Sequence, residues 1–174
     1  MRGSVCVIWA LGLTGCGEDA PILSGLRAAP SAQAPGAPYV RPEHVLVDIS
    51  YLGGRSWEEA RDVVDEQLGA ITERVELDPR DGVEVRLTGG AVRVKDGQIY
   101  QITVNLPRPT RRAAALHSLN LPPQIDSWFS LDHELRARWE AGFERIRLGR
   151  AEPESEMIVW VEAMKWNPRT QRGR

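Results

Sequence analysis

The chain has 174 residues, of which 42% are hydrophobic, and its 22 basic and 24 acidic side chains leave a formal charge of −2. That length and balance predict one ordinary globular domain; they exclude the strongly basic footprint of a nucleic-acid protein and the bias of an acidic disordered tail. Two cysteines exclude a disulfide scaffold or a four-cysteine zinc site, and no apolar run approaches the roughly 20 residues that span a bilayer.

Met1 and Arg2 give a minimal positive end, and Val5 to Leu13 is an apolar stretch followed by small residues. This is the pattern of a secretory signal, too short for a membrane helix. The residues Leu13-Thr14-Gly15-Cys16 resemble the lipobox of bacterial lipoproteins. The resemblance implies lipidation of the Cys16 thiol, cleavage just before it and acylation of the new amine. Residues 1–15 are then a signal peptide, Cys6 is lost with it, and the first partner is the membrane, held through lipidated Cys16. One acyl chain anchors only marginally, whereas two or more are close to permanent. Gly17, where the sorting pattern of that class would put Asp to retain a protein at the inner membrane, favours the outer membrane. The anchor also removes both thiols from chemistry.

Residues 16–42 read as the lipidated N-terminus and a flexible linker. Pro21, Pro30, Pro35, Pro38 and Pro42 punctuate it, and it has no helical or strand period. As a coil it spans about 30 Å.

The body, residues 43–167, reads as a single α+β domain. Val45, Val47, Ile49 and Tyr51 alternate and predict a strand over 44–51. Ser56-Trp57-Glu58-Glu59 is a capping box, and Trp57, Ala60, Val64, Leu68 and Ile71 recur at helical spacing, predicting a helix over 57–69. Residues 70–77 fit either state. Asp78-Pro79-Arg80-Asp81-Gly82 is a turn, residues 83–87 alternate as a strand, and Asp96-Gly97 between 91–95 and 98–106 is a strong hairpin signal. Pro107 and Pro109 predict the end of that strand, and Thr110 can cap a short helix over 111–119. Strands follow at 133–139, 143–150 and 157–166, and residues 168–174 are a basic tail. The class expected is α+β: an antiparallel sheet with two helices packed on one face, with a helix-then-three-strands unit occurring twice. The layout is loosely similar to small envelope lipoproteins of the outer-membrane assembly type and to tandem helix-plus-sheet inhibitor folds, a likeness of architecture that carries no function.

No catalytic constellation emerges. His44, His117 and His133 have no ligand spacing, adjacent His133 and Glu134 point to opposite strand faces, and phosphate-loop and nucleophile-elbow motifs are absent. The expectation is therefore no catalytic residue, no metal, no cofactor and no nucleic acid. Two surfaces are candidates for binding. If a four-residue turn joins 133–139 to 144–150, Ala137 faces Ile146 and Leu135 faces Leu148 inside, while Arg138 opposes Arg145 and Arg136 opposes Arg147 outside. Like charges directly opposite are destabilising, so something should compensate. If Val159, Val161 and Ala163 face the core, Trp160 and Trp166 share the arginines' face, a composition typical of binding hot spots. The second candidate is an anion site formed by Arg108, Arg111 and Arg112. The reading is a membrane-anchored envelope lipoprotein acting as a non-catalytic binding or accessory module, with another envelope protein as the expected partner. An envelope-polymer hydrolase or transferase is the alternative, supported if a cleft gathers two or more of Asp48, His117, His133 and Glu162; a small-ligand carrier is a third, supported by a large apolar cavity.

Overall fold

Eight strands pair antiparallel into one sheet in the order β1-β2-β3-β4-β8-β7-β6-β5. The computed structural model describes residues 39–125 and 127–168, and from Val40 onward these belong to one compact unit. Residues 1–38, which hold the expected signal peptide, Cys16 and most of the expected linker, and residues 169–174, the expected basic tail, lie outside the described residues. The strands are β1 (Ile71–Glu76), β2 (Val83–Leu87), β3 (Gly90–Lys95), β4 (Gln98–Arg111), β5 (Phe129–Leu131), β6 (Glu134–Glu140), β7 (Phe143–Arg150) and β8 (Met157–Met164). The helices are α1 (Ile49–Leu52), α2 (Trp57–Leu68) and α3 (Arg112–Ser118).

The order resolves into two meanders, β1–β4 and β5–β8, joined where β4 pairs with β8. A helix precedes each meander, α2 the first and α3 the second, so the unit is a helix with four strands rather than three. The sheet dominates. The helices are short, and the expected layer of two helices is met only coarsely. Their buried residues Ala60, Val64, Leu68, Ala115 and Leu116 join a core cluster with Val85, Val92, Ile102, Ala137, Ile146, Leu148, Val161 and Ala163, drawn from alternate positions along the strands. Alternation sends the intervening side chains to the opposite face.

Several local expectations are corrected. Residues 44–48 are not a strand: Val45, Val47 and Ile49 are buried, but the chain turns into α1, capped by Asp48, whose carboxylate accepts from the Tyr51 amide at 2.9 Å. Helix α2 starts as the sequence predicts, with the Ser56 hydroxyl accepting from the Glu59 amide. Strand β4 does not stop at Pro107 and Pro109. Its pairing passes from Asn105↔Trp160 directly to Thr110↔Ile158, so residues 106–109 bulge out of the ladder, where prolines lacking an N–H are tolerated. Thr110 does not cap α3; its hydroxyl donates to the Arg108 carbonyl, and α3 starts without a side-chain cap. A bulge between Gly149 and Arg150 places Ile158, rather than Val159, in the core. Arg41, read as linker, ion-pairs with Glu66 and donates to the Leu46 carbonyl.

Candidate functional site

The predicted register of β6 with β7 is the observed one: Leu135↔Leu148 and Ala137↔Ile146 meet on the core side, Arg136↔Arg147 and Arg138↔Arg145 on the other. The turn is shorter than expected. Glu140 pairs with Phe143, leaving Ala141-Gly142 as a two-residue loop, which preserves the register because one residue is removed from each end.

Following the pairings across the polar face gives three rows. One runs Phe129, Arg136, Arg147, Glu162, Thr103, Ala91, Arg86, Glu73. A second runs Arg138, Arg145, Met164, Gln101, Arg93, Glu84, Val75. A third runs Leu131, Glu134, Gly149, Trp160, Asn105.

The compensation that opposed arginines require comes from two carboxylates. Glu134 takes Arg136 at 2.9 Å and also pairs with Arg147. Glu162, only 9% exposed, takes Arg145 at 3.2 Å and Arg147 at 3.3 Å and accepts from the Gln101 amide at 2.9 Å. The hydrogen bond from Arg147, then that from Arg136, outweighs partial burial and holds the Glu134 carboxyl below its ordinary range. At the other end of the sheet, burial pushes Glu84 up, but hydrogen bonds from Arg86 and Arg93 together hold it below its ordinary value. Arg138 is exposed and has no ion-pair partner among the described residues.

Trp160 and Trp166 are both half-buried. Trp160 lies across its cross-strand partner Gly149, where any Cβ would fall about 2.0 Å from the indole nitrogen, and the Arg147 guanidinium stands 5.4 Å from its ring centroid. The glycine is what lets the indole lie flat on the sheet. Trp166 packs against Tyr100 in a tilted arrangement, 5.1 Å between centroids. The face therefore links Arg136, Arg145 and Arg147 through Glu134 and Glu162, with Trp160 under Arg147 and Arg138 beside them; Trp166 sits with Tyr100, whose hydroxyl donates to the Asp81 carbonyl.

Sequence reasoning missed β5. Its Phe129 is 64% and its Leu131 45% exposed, and both sit in the polar rows beside Arg136 and Glu134. The signal was present as Phe129 and Leu131 alternating just before Asp132-His133. It also missed the buried node at Asp48, which receives the Asn120 amide at 2.8 Å while the Asp48 backbone N–H donates to Gln67 at 2.7 Å.

Asp48, His117, His133 and Glu162 are not gathered. Asp48 caps α1, exposed His117 stacks on His44 at 4.2 Å, His133 lies exposed ahead of β6, and Glu162 is on the sheet. Among the described residues no cluster of three or more His, Cys, Asp or Glu could hold a metal ion. Of the second candidate set, Arg111 and Arg112 line a cleft of about 750 Å³ with Gln124, Ile125, Trp128 and Glu156, while Arg108 is not part of its lining. The cleft is of mixed polarity rather than the large apolar cavity of a carrier. Comparison of the chain with family models, curated proteins and solved structures yields no match.

Proposed function

We propose that this chain is an envelope lipoprotein anchored through Cys16, at the outer membrane, whose folded body is a non-catalytic docking module for an acidic segment of another envelope protein. The reading takes α2 and α3 as the cover of one sheet face and leaves the other to the partner. The observation that carries it is local. In the rows crossing β5–β8, four arginines face only Glu134 and Glu162, and the surplus lies beside exposed Phe129 and Leu131. Surplus cation next to exposed apolar side chains matches the arginine-rich, aromatic make-up of protein interfaces, and the sign of the surplus calls for an acidic partner. The lipid anchor rests on the lipobox resemblance alone.

Metabolic labelling with a radioactive fatty acid tests the anchor: wild type incorporates label and Cys16→Ser does not, whereas equal labelling ends that part of the reading. A photo-cross-linking residue tests the docking face in intact cells. Placed at Arg138 or Phe129, it is expected to trap one partner at an acidic segment; placed at Glu58, on α2, it traps none. With the cross-linker at Phe129, Arg136→Gln with Arg138→Glu should abolish the adduct without unfolding the protein, since neither change sets a new carboxylate against Glu134. Arg145 is unsuited to charge reversal, because a carboxylate there would face Glu162. The same adducts from all positions, or adducts indifferent to the double substitution, would reject the docking face.

A further inference from the structure

We infer that the cleft between the start of α3 and Pro123, Gln124, Ile125 and Trp128 binds a small organic carboxylate with a planar apolar body, a site separate from the sheet face. Its volume of about 750 Å³ falls within the roughly 300–1,000 Å³ typical of small-ligand pockets. The walls supply two chemistries side by side. Trp128 packs against the core and also lines the cleft, so one side of the indole is held while the ring borders the space; Ile125, 7% exposed, extends the apolar wall.

The charged wall is asymmetric. The Arg112 guanidinium is engaged by Glu156 at 3.4 Å, and the Arg112 amide donates to the Glu156 carbonyl at 3.0 Å, which ties that arginine to the approach to β8. Arg111 also lines the cleft, is exposed, and has no ion-pair partner among the described residues. One uncompensated guanidinium offers one planar fork, which matches a single carboxylate in charge and geometry. A phosphate dianion would bring a second negative charge beside Glu156. An apolar body on the same molecule would lie against Trp128, so ligands carrying only one of the two features bind weakly.

Glu156 and Arg111 therefore act on the ligand with opposite sign, and that is testable. Titrating 4-phenylbutyrate into the full-length chain, with the tryptophan indoles labelled with nitrogen-15, should shift one indole N–H saturably, the one that Trp128→Phe deletes. Arg111→Ser should weaken binding about tenfold or more, as expected for loss of a charge-assisted hydrogen bond, whereas Glu156→Gln should tighten it by releasing Arg112. Both side chains are surface groups, and unchanged indole signals elsewhere in each variant verify the fold. No saturable shift at millimolar probe, an Arg111→Ser variant that binds like wild type, or an equal response to inorganic phosphate would overturn the inference.

Discussion

On the N-terminal half of the polar sheet face, Glu84 sits between Arg86 and Arg93, and Arg86 reaches on to Glu73 at 2.6 Å. Two cations meet two carboxylates. On the C-terminal half, Glu134 and Glu162 serve Arg136, Arg145 and Arg147, and Arg138 is left over. The outer strands differ in the same sense. Edge strand β1 carries exposed Glu73, Arg74 and Glu76, charges of the kind that discourage edge-to-edge pairing. Edge strand β5 is only three residues long and exposes Phe129 and Leu131. Two meanders of the same strand number thus end in a self-neutralised, guarded half and a cationic, partly apolar half. A shared architecture leaves the surface free to diverge, because the core constrains only alternate residues of each strand.

Removing the central carboxylate of each half should separate them most. Glu162 is buried, bridges two arginines and satisfies Gln101. Glu162→Gln leaves Arg145 without a carboxylate, and breaking a buried pair by removing one partner is costly; because the guanidiniums keep partial access to water, about 2–3 kcal/mol is expected rather than the full penalty. Glu84→Gln likewise leaves Arg93 without its carboxylate while Arg86 retains Glu73, but it strands no buried side-chain amide as the loss of Glu162 strands Gln101, so it should cost somewhat less, about 1–2 kcal/mol. Urea unfolding midpoints of the two variants measure the difference. Equal losses would mean that the ion network of the C-terminal half is no more tightly built than that of the N-terminal half.

Acid should weaken both halves, with a smaller effect. Both Glu134 and Glu84 are held below the ordinary carboxylate value of 4.5 in the folded chain. A group whose folded value is depressed stabilises the fold while it is ionised; that contribution is complete above the unfolded value and fades as the pH falls toward the folded one. Stability should therefore drop as the pH falls through about 4.5 and below, and each Glu→Gln variant should flatten the drop. At Glu134 the leading influence, the Arg147 hydrogen bond, acts downward, whereas at Glu84 burial opposes the arginines. Both carboxyls are nonetheless held down, so Glu134→Gln and Glu84→Gln should each flatten the acid limb, as read from thermal midpoints between neutral and acidic pH.

What could be read from the sequence follows burial. Strand β2 matches its predicted bounds and β7 matches in full, because their alternate residues are buried: Val85 and Leu87 in one, Ile146 and Leu148 in the other. That alternation also placed the arginine pairs of β6 and β7. The edge strands were hard to read, since β1 buries almost nothing and β5 offers only the Phe129–Leu131 alternation over three exposed residues; missing them turned four strands per unit into three. Residues 44–51 misled for the converse reason. Val45, Val47 and Ile49 are all buried, but by a turn entering a four-residue helix, and burial at every second position does not by itself require a ladder. Within the site, the face was legible from periodicity, while its detail was not. That Gly149 makes room for Trp160, and that Arg111 and Trp128 share a cleft, depends on contacts between segments distant in sequence.

The smallest effect compares the two tight hairpins, one in each half. In the β3–β4 turn Asp96 has φ 51° and Gly97 77°; in the β6–β7 turn Ala141 has φ 51° and Gly142 76°. Both loops need a positive φ at both positions, the geometry that suits the twist of the flanking strands. Aspartate tolerates it through local hydrogen bonding, but alanine has no such relief, and its Cβ makes the left-handed region unfavourable. Ala141→Asn should therefore stabilise the protein by about 0.5–1 kcal/mol, and Ala141→Gly by less, because glycine also loosens the unfolded chain. Asp96→Ala should cost a similar amount in the other direction. Thermal midpoints of the three variants decide the matter. A destabilising Ala141→Asn would show that the C-terminal hairpin is held by the Glu140–Phe143 pairing and the buried Phe143 side chain, with the alanine under no strain to relieve.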